Sequence, residues 1–175
     1  MLAALRQSRE RARTAKALAV ALTAQARQPV FFREYGVEDT IDGRFDMVAL
    51  HAWLVFAALK AQGLPELARA LSDTLFVQFD EALRDLGVSD MGMGRRMKSL
   101  GQALNGRILA YDAADDEHAL SEAIHRNVYR GRTGFERNAR ALAAYSLGAG
   151  QRVVGSDLAA GALDFGPVPH DMTGL

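Results

Sequence analysis

The chain has no cysteine, which removes disulfide frameworks, catalytic thiolates and cysteine-ligated zinc at once. It has no long hydrophobic run. The longest uncharged apolar stretch, Met47 to Leu59, covers thirteen residues and contains His51. A membrane-spanning helix needs about 20, so this stretch is expected to be a buried helix of a bundle. Net charge is also absent, with 21 Lys and Arg against 21 Asp and Glu. A chain that holds DNA is usually basic overall, and no DNA partner is expected. Nothing alternates with period two for long enough to make a strand, and no internal repeat or second-domain boundary is visible.

The zero sum hides segregation. Residues 1–33 carry seven basic groups against Glu10, residues 34–90 four against eleven acids, and residues 91–110 four against none. Local fields can therefore be strong while the long-range field is weak. The Ala- and Arg-rich start resembles a transit peptide in composition. It runs into Gln28–Pro29 with no obvious cleavage site and is read as an ordinary amphipathic first helix.

What is present is helical periodicity. Helices are expected at about 8–27, 44–62, 65–86, 94–111, 115–130 and 134–148, separated by the loop "EYGVEDTIDG" and by Gly63, Gly87 and Gly131. Leu67, Leu71, Leu75, Phe79, Leu83 and Leu86 form one continuous apolar stripe on the third of these. The expected architecture is an all-α, single-domain bundle of about six helices over residues 1–161. The Gly- and Pro-containing segment 162–175 is expected to be a flexible tail.

Chemistry is sparse. Glu122 and His125 form one Glu-x-x-His pair with His118 a turn earlier, but a di-iron bundle needs two such pairs and two more glutamates. Asp115 and Asp116 lack a third aspartate for a diphosphate–magnesium site and are better explained as a helix cap. His51 and Trp53 are expected in the core or at its boundary. No catalytic residue, metal site or cofactor is assigned. The competing classes are a metal- or small-ligand-dependent enzyme on a bundle, and an RNA-binding module.

The unabsorbed stretch is "DMGMGRRMKSLGQALNGR", residues 90–107. Met97, Leu100, Leu104 and Ile108 form a stripe surrounded by Arg95, Arg96, Lys98 and Arg107, with Met91 and Met93 in the glycine-punctuated approach. Methionine is flexible and polarizable, which suits surfaces that fit varied apolar partners.

Three segments read together carry a resemblance: "QARQPVFFREYGVEDTIDGRFDMVALHAWLV" (25–55), "LGVSDMGMGRRMKSLGQALNGR" (86–107) and "NVYRG" (127–131). They resemble the ubiquinol–cytochrome c chaperone family, assembly factors of the cytochrome bc complex in alphaproteobacteria and mitochondria. The resemblance covers about residues 20–150. It implies a helical, non-enzymatic chaperone for newly made cytochrome b; mitochondrial members also act near the ribosomal exit tunnel with a smaller partner. Transferred here, Met91, Met93 and Met97 would touch an emerging apolar segment. Arg95, Arg96, Lys98 and Arg107 would complete the partner surface, with ribosomal RNA or anionic lipid as the polyanion. A cytoplasmic location is expected, with peripheral membrane contact through the basic first helix.

Overall fold

The apolar run Met47–Leu59 lies inside a helix, and the other helices wrap it. The computed structural model describes residues 2–170. Among them it contains α1 (Leu2–Ala26), the short α2 (Pro29–Arg33), α3 (Ile41–Ala61), α4 (Pro65–Asp85), α5 (Asp90–Asp112), α6 (Glu117–Asn127) and α7 (Glu136–Val154), then one 3-10 turn at Leu158–Ala160 and no strand. The all-α, single-domain bundle is thus as the periodicity requires. α3 packs against α1, α4, α5 and α7 and buries residues on every side of its axis, the behaviour of a helix apolar all round.

The loop before α3 explains much of the sequence around residues 35–46. Thr40 caps α3, its hydroxyl accepting from the Gly43 amide at 3.1 Å. A side chain at Gly43 would place Cβ 2.0 Å from the Glu38 carbonyl oxygen, so only glycine lets the chain fold back here. Gly36 adopts φ +69°, and a Cβ there would meet Asn138 at 3.0 Å and Phe135 at 3.2 Å. Beside it the Tyr35 carbonyl accepts from the Tyr129 hydroxyl (2.8 Å) and the Asn138 amide (3.0 Å). The turn before α3 is thereby fastened to the turn between α6 and α7.

Asp46, one turn into α3, has no exposed surface. Its Oδ1 accepts from Arg107 of α5 (Nε 2.7 Å, Nη2 2.6 Å), and Oδ2 faces Nη2 of Arg130 at 2.7 Å. The Arg130 contact is an ion pair whose angle falls outside hydrogen-bond geometry. Burial pushes the Asp46 carboxyl up from the ordinary carboxylate range, while the two guanidiniums draw it down. Arg130 reaches this position from a positive φ of 58°, uncommon for a side-chain-bearing residue. Arg107 also lies over the Phe45 ring, 5.1 Å from its centroid. Two helices and the turn after α6 are joined through one carboxylate.

His51 is a second buried polar centre. Its Nδ1–H donates to the Met47 carbonyl (2.7 Å), and Nε2 accepts from the Tyr145 hydroxyl (2.9 Å), which in turn accepts from Gln25 (3.0 Å). Rings of Phe31 and Phe165 stand 5.4 and 5.1 Å away. Both ring nitrogens are engaged with the imidazole neutral. Burial lowers its pKa from 6.5 to about 4.

Several boundaries differ from the periodicity. α2 was not anticipated; Pro29 serves as a first-turn residue rather than only ending α1. α5 starts at Asp90 instead of Gly94, so Met91 and Met93 lie within its first turns. α7 continues through Gly148 and Gly150 to Val154. The segment expected as a flexible tail is packed through residue 170: Phe165 and Val168 are buried, and the Tyr35 hydroxyl donates to the Pro169 carbonyl at 3.1 Å. Glycine and proline there shape a strap whose apolar residues reach the core. The rest of that segment, 171–175, lies outside the described residues. Of the Asp115–Asp116 pair, Asp116 is the cap, accepting from the Ala119 amide at 2.7 Å.

Two outcomes follow. Asp46→Ala strands two guanidiniums and is expected to cost about 3 kcal/mol or more, a fall of roughly 10 °C in Tm by thermal unfolding; replacing Asp46 and Arg107 together with Leu and Met recovers part of it. For His51, a depressed folded pKa stabilises above the unfolded value of 6.5, and that contribution is lost as pH falls towards 4. The loss amounts to about 3 kcal/mol by pH 4. Denaturant titrations at pH 7 and 4 are expected to differ by about that much more in the wild type than in His51→Gln.

Candidate binding groove

The α4 stripe runs beyond what the bundle covers. Leu67, Leu71 and Leu75 are in the main core and Phe79 is half-buried against it. Leu83 is covered but outside that core, and Leu86 is 56% exposed. A helix with 3.6 residues per turn keeps one face pointing in one direction, so the stripe must emerge wherever the partner helices end. At this end α3, α4 and α5 diverge around a groove of about 310 Å³ lined mainly by Phe45, Val48, Phe79, Leu83, Leu86 and Leu100. Ile41, 62% exposed, forms its rim. Arg27, Arg44 and Asp85 stand at the edges. Arg44 is neutralised by Asp39, the Nε to Oδ1 distance being 2.6 Å. Arg27 has no ion-pair partner among the described residues.

A more polar recess of about 420 Å³ adjoins the groove, sharing Phe45 and Leu100 with it. Arg107, Arg126 and Arg130 edge it, with Asp42 on the other side. Arg126 makes only a long contact to Glu122, at 3.9 Å. Two of the three guanidiniums share one buried carboxylate, so the recess keeps a positive excess. An apolar groove that opens beside such a recess can take an apolar side-chain row and, next to it, an anionic group.

The residues singled out in 90–107 divide unequally. Met91 is 95% exposed, and Arg95, Arg96 and Lys98 are exposed without an ion pair among the described residues. Met97 is half-buried. Met93 is 6% exposed and so faces inward, since α5 begins early enough to turn it towards the bundle. Arg107 is no free surface cation: its side chain is 17% exposed and bound to Asp46. Met93 and Arg107 are therefore removed from the expected partner surface.

The sequence reading missed Ile41, Phe45 and Phe79 as groove residues and Arg126 and Arg130 at the recess. The signal available was the length of the α4 stripe, which reaches Leu86 with nothing beyond Gly87 to cover it. The other polar candidates stay apart from the groove. His125 Nε2 faces the Arg132 carbonyl at 2.9 Å, and His118 faces Glu122 at 3.6 Å on the exposed side of α6. Among the described residues no group of three His, Asp or Glu side chains could hold a metal ion. Nor is any helix among them long and apolar enough to cross a membrane.

Comparison with known proteins agrees with this geometry. A family model described as ubiquinol-cytochrome C chaperone matches residues 33–154, a span that includes the Gly36–Gly43 loop, Asp46 and both of its arginines, and the groove apart from Arg27. The structure described as the crystal structure of the Cbp3 homolog from Brucella abortus is 33% identical, with a TM-score of 0.81 over 97% of this chain and 100% of that one. No curated protein matches the chain. On the extent of the family match and this structural likeness together, the chain belongs to the ubiquinol–cytochrome c chaperone family.

Proposed function

We propose that this chaperone assists assembly of the ubiquinol–cytochrome c reductase complex by holding an apolar segment of newly made cytochrome b in the α3–α4–α5 groove. The observation that carries the reading is the emergence of the α4 stripe at Leu86 beside exposed Ile41, with Met91 five residues further on. These exposed groups adjoin an apolar-lined groove, and such contiguous patches mark interaction sites where singly scattered ones do not. At about 310 Å³ the groove takes a few side chains, not a whole span. Burial of two or three leucine-sized groups offers roughly 3–9 kcal/mol before association costs are subtracted. The hold is weak and reversible, as release to an assembling complex requires.

Arg95, Arg96 and Lys98 have the role of a polyanion contact in this reading. Ribosomal RNA near an emerging chain, or anionic lipid at the inner face of the cytoplasmic membrane, would meet them through salt-sensitive phosphate attraction. The basic, exposed start of α1 adds a second peripheral membrane contact. No catalytic step and no cofactor is invoked.

The test is replacement of the host's own copy with Ile41→Asp/Leu86→Asp. Both side chains are exposed, so the variant is expected to fold and accumulate normally. The b-type haem signal in a reduced-minus-oxidised spectrum of the membranes is expected to fall by half or more. Normal cytochrome b with a folded variant present would overturn the groove as the client site. A separate variant with Arg95, Arg96 and Lys98 changed to Glu is expected to lose only salt-sensitive association with ribosomes or anionic vesicles; salt-independent association in the wild type would contradict that role.

A further inference from the structure

α5 contains four glycines in 23 residues. Gly101 has a steric reason, since a Cβ there would stand 3.3 Å from the Phe76 ring, and Gly92 is in ordinary contact with Val88. Gly94 and Gly106 have none: both are helical and an added Cβ meets nothing within 4 Å. Glycine inside a helix shifts the helix–coil balance of its turn by about fivefold relative to alanine. Nothing in the packing around positions 94 and 106 accounts for that loss.

The start of α5 is weakly secured in other ways. Ser89 at the N-cap makes no side-chain capping bond. Of residues 91–103 only Met93 is buried, and it lies outside the main core. Arg95 and Lys98, like charges three residues apart, repel along the helix. The second half is pinned by Leu104, Tyr111 and the Arg107–Asp46 pair. Leu100, in the loose half, is the α5 wall of the apolar groove.

We infer that the first half of α5 is a movable wall which its glycines keep marginally helical, and that it yields to admit an apolar helical segment with an acidic residue beside its apolar stripe. The acidic preference follows from charge complementarity, two cations standing against the single acid Asp85 at the groove edge. Arg27 on the groove edge and Arg96, one turn before Leu100, are cations without ion-pair partners among the described residues. This inference rests on the function proposed above and names how the client enters and what it carries.

The experiment compares the full chain with Gly92→Ala/Gly94→Ala, both in the loose half and with no atom closer than 3.8 Å to an added Cβ, and with a control, Gly148→Ala. Gly148 is helical, exposed and likewise open to a Cβ, but lies in α7 away from the groove. Amide exchange in wild-type α5 is expected to be at least tenfold faster over 91–101 than in α7. The double alanine variant slows it by about tenfold or more. Binding is read with labelled Leu/Ala helices of about 20 residues ending in Glu or in Lys. The Glu-ended peptide is expected to bind the wild type and Gly148→Ala alike, and the double variant about tenfold more weakly despite its higher Tm.

Equal or tighter binding by the double variant, or wild-type α5 as protected as α7, overturns the movable wall. Equal binding of the Lys-ended peptide overturns the charge preference. Failure of the wild type to bind either peptide, together with failure to capture newly made cytochrome b, instead removes the functional reading on which this inference rests.

Discussion

A carboxylate with no exposed surface dictates much of this architecture. Asp46 must keep two guanidiniums against it, and those come from α5 and from the turn after α6. Removing one partner of such a buried set leaves an uncompensated charge, at a cost of several kcal/mol. The requirement therefore fixes where α5 crosses α3 and where the α6–α7 turn lies. An apolar substitute could join the same helices, but it would not specify the crossing to one residue. The groove between α3, α4 and α5 opens where α5, held along its second half at Leu104, Arg107 and Tyr111, is no longer held along its first.

The molecule divides into a tightly determined part and a loose one. Around α3 the network through Gln25, Tyr145 and His51 ties α1 and α7 together, and the strap carrying Phe165 and Val168 closes over them. At the opposite extreme, the start of α5 has one buried side chain, no side-chain cap and unneutralised cations. Holding a client segment, as proposed above, would draw on both kinds of structure. The rigid part preserves the shape of the apolar floor, and the loose part allows that floor to accept segments that differ in sequence.

The helices and the stripe on α4 were legible because apolar spacing reports burial directly, and α4 begins at the proline and ends near the glycine that mark it. The caps at Thr40 and Asp116 follow from side-chain chemistry local in sequence, although the helix after Thr40 was expected from about residue 44 and begins at Ile41. Asp46 was not legible: its partners are 61 and 84 positions away, and a lone aspartate in a helix looks like any solvated acid. For the same reason Arg107 was read as a surface cation. Met93 was misplaced because glycines at 92 and 94 suggested a loop, whereas α5 begins before them and its turn carries Met93 inward. The strap over 162–170 shows the converse error, since Gly and Pro mark extended chain without saying whether it packs.

On the function proposed above, cytochrome b meets this protein at the open end of the α4 stripe. The most direct measurement places a photo-crosslinking amino acid at Leu86, and separately at exposed Leu147 on α7, during cell-free synthesis of cytochrome b. The account predicts a crosslink to the nascent chain from position 86 that competes with an apolar peptide, and little or none from position 147. Crosslinking from position 147 with none from position 86 would contradict it, and would move the client to another face of the bundle.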